Sequence, residues 1–231
     1  MTDQTSLSIP PESVRYIQLS TGRKMPVAAY GTFHSDWAQA LMKDATIEAI
    51  KSGWRHLDTA RAYENEDVVG EAVRESIRRG YIASRSELFI TGKLWNGHMK
   101  PKDVAPALEA TLRDLGIDEI DLYLNHWPWP NVHAPGCTGD QRNPDAVPYI
   151  HEAFLEAWGE ICKHKKAGKI IDIGTSNHTR ATMELLLRDV AADERPVCNQ
   201  MELHPLFQQA ELRRYFESEG IACTGYMAMG S

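Results

Sequence analysis

Cysteine is scarce. The chain has four in 231 residues, Cys137, Cys162, Cys198 and Cys223, and their spacing fits no CxxC pair, zinc ribbon or compact disulfide framework, so reduced structural thiols are expected. Positive charge is also short. Against 32 Asp plus Glu there are 25 Lys plus Arg, a formal net charge of −7, which leaves no long-range attraction to nucleic-acid phosphates or anionic lipid. No apolar run reads as a membrane span: the one long uncharged stretch, Leu122 to Gly139, carries prolines, asparagines and histidines that lipid could not satisfy. The amino terminus, MTDQTSLSIPPES, lacks the basic start and apolar run of a signal peptide, and a cytoplasmic location is expected. Neither GxGxxG nor GxxxxGK[ST] occurs, which removes the usual phosphate-binding turn of a doubly wound sheet.

What is present is alternation. Hydrophobic residues make up 42% and charged residues 25% of a chain close to the ~250 residues of one α/β barrel. Short apolar, β-branched runs stand at Val27–Thr32, His56–Ala60, Leu88–Leu94, Ile120–Trp127, Ile170–Ser176, Val197–Leu203 and Ile221–Ala228. Helical patterns separate them near 42–52, 66–79, 101–115, 149–167, 179–190 and 208–219, several stopping at a glycine. That order predicts βαβ units and a parallel sheet. An extended pair at Val14–Leu19 and Lys24–Met25, turned through Ser20-Thr21-Gly22, predicts a hairpin placed to plug a barrel floor. The Pro128–Pro148 loop is long and aperiodic, as functional loops often are. The expected architecture is a (β/α)₈ barrel with seven of its eight units present, in one domain over 14–231, with 1–13 loosely ordered.

In a barrel, chemistry collects where strands end at their carboxyl side. Those positions hold Asp58 and Tyr63, Lys93, Asn125 and His126, Ser176 and Asn177, and Gln200 and Glu202. Lys93 is the unusual one. It follows the apolar run LFITG, and an ammonium at the edge of a low-dielectric interior needs a carboxylate; Asp58, on the neighbouring strand, is the nearest candidate.

The segments GWRHLDTARAYENEDVVGEAVRESI, ELFITGKLW, IDLYLNHWP, IGTSN, CNQMELHP and GIACTGY together resemble the aldo-keto reductase family, in its order and spacing. The resemblance implies a (β/α)₈ barrel that binds NADP(H) at its mouth and reduces aldehydes and ketones. It implies a catalytic tetrad of Asp58, Tyr63, Lys93 and His126. It further implies cofactor contacts from Thr32, Asp58, Ser176, Asn177, Gln200 and Tyr226, and a substrate pocket lined by Phe33, Trp95 and Trp127. The implied partner is a small carbonyl compound, with no nucleic acid or membrane; the family is monomeric, and open barrel edges leave self-association available. The sequence departs from the family at Ala29, Asn125 and His178, and reads MAMGS after Tyr226 where the family continues through an eighth unit.

The implied chemistry asks for these residue types. Hydride addition to a carbonyl leaves an alkoxide that needs a proton. Tyr63 has one, and Lys93 is expected to lower a phenol that titrates near 10 in water, while His126 orients the carbonyl oxygen. Two other readings stand beside this one. The first is a metal-dependent barrel hydrolase using His56, Asp58, His126, Glu202 and His204. The second is a family-like binding or regulatory module without turnover.

Overall fold

The computed structural model describes residues 14–34, 36–129 and 148–230. The amino-terminal stretch 1–13, Cys137 and nearly all of the Pro128–Pro148 loop lie outside the described residues.

The chain opens on an antiparallel hairpin, β1 (Tyr16–Gln18) and β2 (Lys24–Pro26), in register at Ile17 and Met25. Among the described residues six α-helices then alternate with seven strands: β3 (Tyr30–Gly31), α1 (Met42–Lys51), β4 (His56–Asp58), α2 (Glu66–Arg78), β5 (Phe89–Leu94), α3 (Pro101–Leu115), β6 (Ile120–Asn125), α4 (His151–Lys166), β7 (Ile170–Ser176), α5 (Arg180–Asp189), β8 (Cys198–Glu202), α6 (Ala210–Ser218) and β9 (Ala222–Tyr226). The seven strands β3 to β9 form one parallel sheet in chain order. No pairing joins β3 to β9 among the described residues, so the barrel carries seven units and is open along one seam.

The predicted elements form where expected, several strands ending a few residues short of their apolar runs. The first strand of the sheet shrinks from Val27–Thr32 to Tyr30–Gly31. Pro26 has no N–H to give, and the Val27 N–H is taken by Arg15 O of the hairpin at 3.0 Å, so the segment entering β3 is tied to the hairpin before it reaches β4.

Local chemistry explains the helix boundaries. Pro101 opens α3, where a missing N–H costs nothing, and Gly116 ends it at φ 69°, a left-handed closure that a Cβ disfavours. Thr179 caps α5 through a reciprocal exchange with Thr182. One face of each helix is buried against the sheet, around Leu57, Ile90, Leu94, Tyr123, Trp158 and Ile173. Among the described residues no helix is long and apolar enough to cross a membrane, and Cys162, Cys198 and Cys223 are free thiols.

The hairpin closes the amino-terminal end of the sheet. Arg23, in its turn, donates to Asp121 Oδ1 at 2.8 Å and Asp172 Oδ2 at 3.1 Å, near the starts of β6 and β7. Arg85 donates to the other oxygen of Asp121 at 2.6 Å, and the Ile90 N–H reaches the same atom at 2.9 Å. A floor of paired charge thus fixes one end of the sheet and leaves the other end, where the strands terminate, for function.

Helices α2 and α3 approach through Gly70, where an added Cβ would stand 2.5 Å from Leu115 O and 2.7 Å from Asp114 O. Both are backbone atoms that cannot swing aside. Gly70→Ala is expected to lower unfolding free energy by about 1–3 kcal/mol, the usual cost of overpacking; an unchanged midpoint in urea denaturation would show that the helix pair is looser than this.

Candidate active site

The strand period of two sets the site. All six residues of β5 are buried, but they face two ways. A Cβ on Gly92 would meet Ile120, Tyr123 and Thr111, so Gly92 looks toward the helix layer, and Thr91 and Lys93 look into the barrel. Asp58 pairs with Thr91 across β4 and β5, which puts its carboxylate beside the Lys93 ammonium.

Lys93 is fully buried. Its Nζ donates to Asp58 Oδ1, to Tyr63 OH at 2.8 Å and to Thr59 O at 3.3 Å. The second carboxylate oxygen, Asp58 Oδ2, accepts from Gln200 Nε2 on β8 at 2.7 Å. Tyr63 arrives from a single-turn 3₁₀ helix, Arg61–Tyr63, that follows β4. His126 stands just past β6, its ring 5.8 Å from that of Tyr63. The four residues predicted as a tetrad therefore share one locus.

Burial and charge act on these groups in opposition. Burial disfavours the Lys93 ammonium, but Asp58 and then Tyr63 outweigh it and hold the lysine above its ordinary value. For Tyr63 the lowering expected from Lys93 is present but outweighed. Burial raises the phenol, Lys93 pulls it down, Asp58 adds to the rise, and the net direction is upward. Tyr63 is thus a protonated phenol at neutral pH. Burial, then the nearby Lys93 charge, carries His126 well below its ordinary value, so the imidazole is neutral; its Nδ1 is buried without a partner.

Beside the tetrad lies a connected polar wall. Ser176 Oγ donates to Gln200 O at 3.0 Å, and Asn177 Nδ2 donates to His126 O at 2.9 Å. Tyr226 OH donates to Asn177 Oδ1 at 2.8 Å. Asn177 sits at φ 62°, a left-handed conformation that asparagine tolerates better than most residues. A cavity of about 670 Å³ opens over both groups, lined by Asp58, Tyr63, His126, Ser176, Asn177, Gln200 and Tyr226 together with Phe33, Trp95 and Trp127. Phe33 packs edge-on against Tyr63 at 5.2 Å, Trp95 edge-on against His126 at 5.5 Å, and Trp127 stacks on His126 at 6.3 Å. These aromatics frame the tetrad rather than fill a core.

One predicted residue stands apart. Thr32 is fully buried and does not line this cavity; its hydroxyl donates to Asp58 O at 3.1 Å, bracing the strand that carries the carboxylate. Asn65 escaped the sequence reading. Its Nδ2 donates to Thr32 O at 2.7 Å, tying the segment after Tyr63 back to β3. An asparagine just ahead of a helical pattern suggests a cap, and nothing local distinguishes the cap from the tether.

Among the residues weighed as metal ligands, two histidines have partners within the fold. His56 sits with Nδ1 3.1 Å from Pro26 O and Nε2 2.8 Å from the Thr91 hydroxyl, and His204 pairs with Glu202 at 3.1 Å. Among the described residues no three His, Cys, Asp or Glu side chains group as a metal site.

The fold and site define a parallel α/β barrel protein with a buried lysine–carboxylate pair and a tyrosine at the mouth. The chain belongs to the aldo/keto reductase family, whose model matches residues 27–231. It is 39% identical over 223 residues to Aldo-keto reductase family 1 member A1 of Xenopus tropicalis, covering 95% of this chain and 65% of that protein. The aldo-keto reductase of Bombyx mori, solved in complex with NADP, superposes with a TM-score of 0.80 at 33% identity, over 93% of this chain and 66% of that one. An aldo-keto reductase complexed with NADPH gives the same TM-score at 30% identity, over 93% and 63%. The chain therefore spans just under two thirds of the length of these relatives.

His178 packs edge-on to Phe154 at 5.0 Å with neither ring nitrogen partnered. Burial pushes it down to about 3. Because the folded value lies below the ~6.5 of an unfolded histidine, the unfolded state binds the extra proton between these limits. Stability from this group is whole above pH ~6.5 and falls by up to about 1.4 kcal/mol per pH unit as pH drops. His178→Phe should flatten the stability–pH slope between about pH 6 and 4 by close to one proton; chemical denaturation across that range measures it, and an identical slope would refute it.

Proposed function

We propose that the chain belongs to an NADP(H)-dependent oxidoreductase that reduces aldehyde or ketone carbonyls to alcohols, with Tyr63 as general acid. The observation that supports this most directly is the hydrogen-bonded series Tyr63–Lys93–Asp58, opening with His126 onto the aromatic-framed cavity.

The donor set fits a nicotinamide amide. Ser176, Asn177 and Gln200 present a hydroxyl and two carboxamides on the same wall, groups that can both give and accept hydrogen bonds, and Tyr226 supplies a flat aromatic surface beside them. When bound, NADPH supplies the hydride. Tyr63 holds its proton because burial keeps the phenol above its ordinary value, and passes it to the carbonyl oxygen as negative charge develops there. The tyrosinate left behind faces the Lys93 ammonium at hydrogen-bond distance, so its charge forms where a cation is already paid for in desolvation. Asp58 keeps Lys93 protonated. His126, neutral, offers an N–H rather than a charge to the substrate oxygen, and Trp95 and Trp127 hold its ring in place; such a preplaced donor contributes roughly 2–4 kcal/mol in comparable sites.

The alternative reading is a cofactor-binding or regulatory module without turnover. Fluorescence titration separates the two: NADPH quenching with turnover of 4-nitrobenzaldehyde supports the reductase, and binding without turnover supports the module.

Tyr63→Phe is expected to lower turnover by about 100-fold or more, within the range for removing a general acid, while NADPH affinity stays within about twofold. Wild-type-like turnover would remove Tyr63 from the role. Since the acid form is the active one and its value is raised, reduction should stay flat from about pH 6 to 9 and decline only beyond the ordinary phenol value near 10. A rate that falls through pH 7 would point to a different proton donor.

A further inference from the structure

We propose that Arg61 is a positioning residue for Tyr63: by bridging Glu66 on α2 and Asp114 on α3, it fixes the turn from which the phenol reaches Lys93. The kinetic consequences rest on the reductase reading above; the geometry does not.

The turn is poorly held by its own backbone. It has one hydrogen bond of 3.0 Å, from Tyr63 N–H to Ala60 O, and one of 3.3 Å, from Glu64 N–H to Arg61 O. Glu64 then leaves it at φ 52°, a left-handed conformation costly for a residue with a Cβ. The phenol nevertheless has to stay within 2.8 Å of Lys93 Nζ, and a displacement near 1 Å is enough to spoil a reacting geometry.

Arg61 supplies the missing restraint. Its Nη1 donates to Glu66 Oε2 at 2.9 Å and to Asp114 Oδ2 at 2.5 Å. Neither anchor is free to drift. Glu66 is the first residue of α2 and almost wholly buried, and Asp114 Oδ1 is gripped separately by Arg113 through Nε at 3.0 Å and Nη2 at 2.8 Å. The two helices are locked at the same place, since Gly70 leaves no room for a Cβ against Asp114 O and Leu115 O. Arg61 thus hangs the turn from the outer helix pair, two residues from the phenol, while Asn65 ties the far side of the turn to Thr32.

Because both carboxylates meet the same nitrogen, a lysine can keep part of the bridge and a methionine none of it. Arg61→Met is expected to lower kcat about tenfold or more with KM and NADPH affinity within about twofold, and Arg61→Lys to recover most of that loss. Asp114→Asn, which leaves the buried Glu66–Arg61 pair in place, should fall between them. A second readout needs no turnover: the alkaline titration of the Tyr63 phenol, taken as the absorbance difference between each protein and its Tyr63→Phe counterpart, should shift toward free tyrosine in Arg61→Met and not in Arg61→Lys.

An Arg61→Met protein with kcat within twofold and an unmoved titration overturns the proposal. So does parallel loss of kcat, NADPH binding and melting temperature without recovery in Arg61→Lys, which marks a merely structural residue. If Arg61→Met fails to fold, Asp114→Asn decides by the same two readouts. If the wild-type chain shows no reduction at all, the reductase reading fails on its own and the phenol titration alone decides whether Arg61 positions Tyr63.

Discussion

An ammonium group sealed inside a protein is tolerable only where a carboxylate answers it, and the site depends on that constraint at Lys93. Desolvation works against the charge; Asp58, bonded to it, works for it and prevails. The carboxylate needs partners of its own and finds a second in Gln200, from the far strand β8. One buried charge thus couples β4, β5 and β8 and sets where the phenol can rest. A site assembled this way is rigid by necessity, because any member that moves leaves another polar group buried and unpaired.

The two ends of the sheet use charge differently. At the amino end, Arg23 and Arg85 close on Asp121 and Asp172, partly open to solvent, with every carboxylate matched by a guanidinium. That arrangement fastens the hairpin and does no chemistry. At the carboxyl end the pairing is deliberately incomplete: a phenol holding its proton and an imidazole with an unpartnered Nδ1 face a cavity. Parallel strands bring this about, since all seven end on the same side and their last side chains converge there.

Much of this was legible along the chain. Apolar runs of strand length alternating with helical patterns announced the parallel sheet, and Lys93 stood out because a lysine after LFITG has no inexpensive place to go. Asp58, Tyr63 and His126, the wall of Ser176, Asn177, Gln200 and Tyr226, and the framing aromatics Phe33, Trp95 and Trp127 were named in advance and line one cavity, with Lys93 buried behind Asp58 and Tyr63. Other features were not legible. The shortening of β3 comes from the hairpin claiming the Val27 N–H, a competition between segments that periodicity does not register. Thr32, expected as a cofactor contact, lies buried outside the cavity and braces Asp58 through its carbonyl, and the tethers made by Asn65 and Arg61 join residues whose pairing no local pattern marks.

The order of strands, the direction in which they run and the identity of the chemical groups follow from the sequence alone, because hydrophobic period and residue type are local properties. The state of those groups was decided only by the tertiary structure. Whether burial or Lys93 governs the Tyr63 phenol depends on how much water the surrounding rings exclude and how near the ammonium stands. Both are distances between residues far apart in the chain, and no local pattern encodes them.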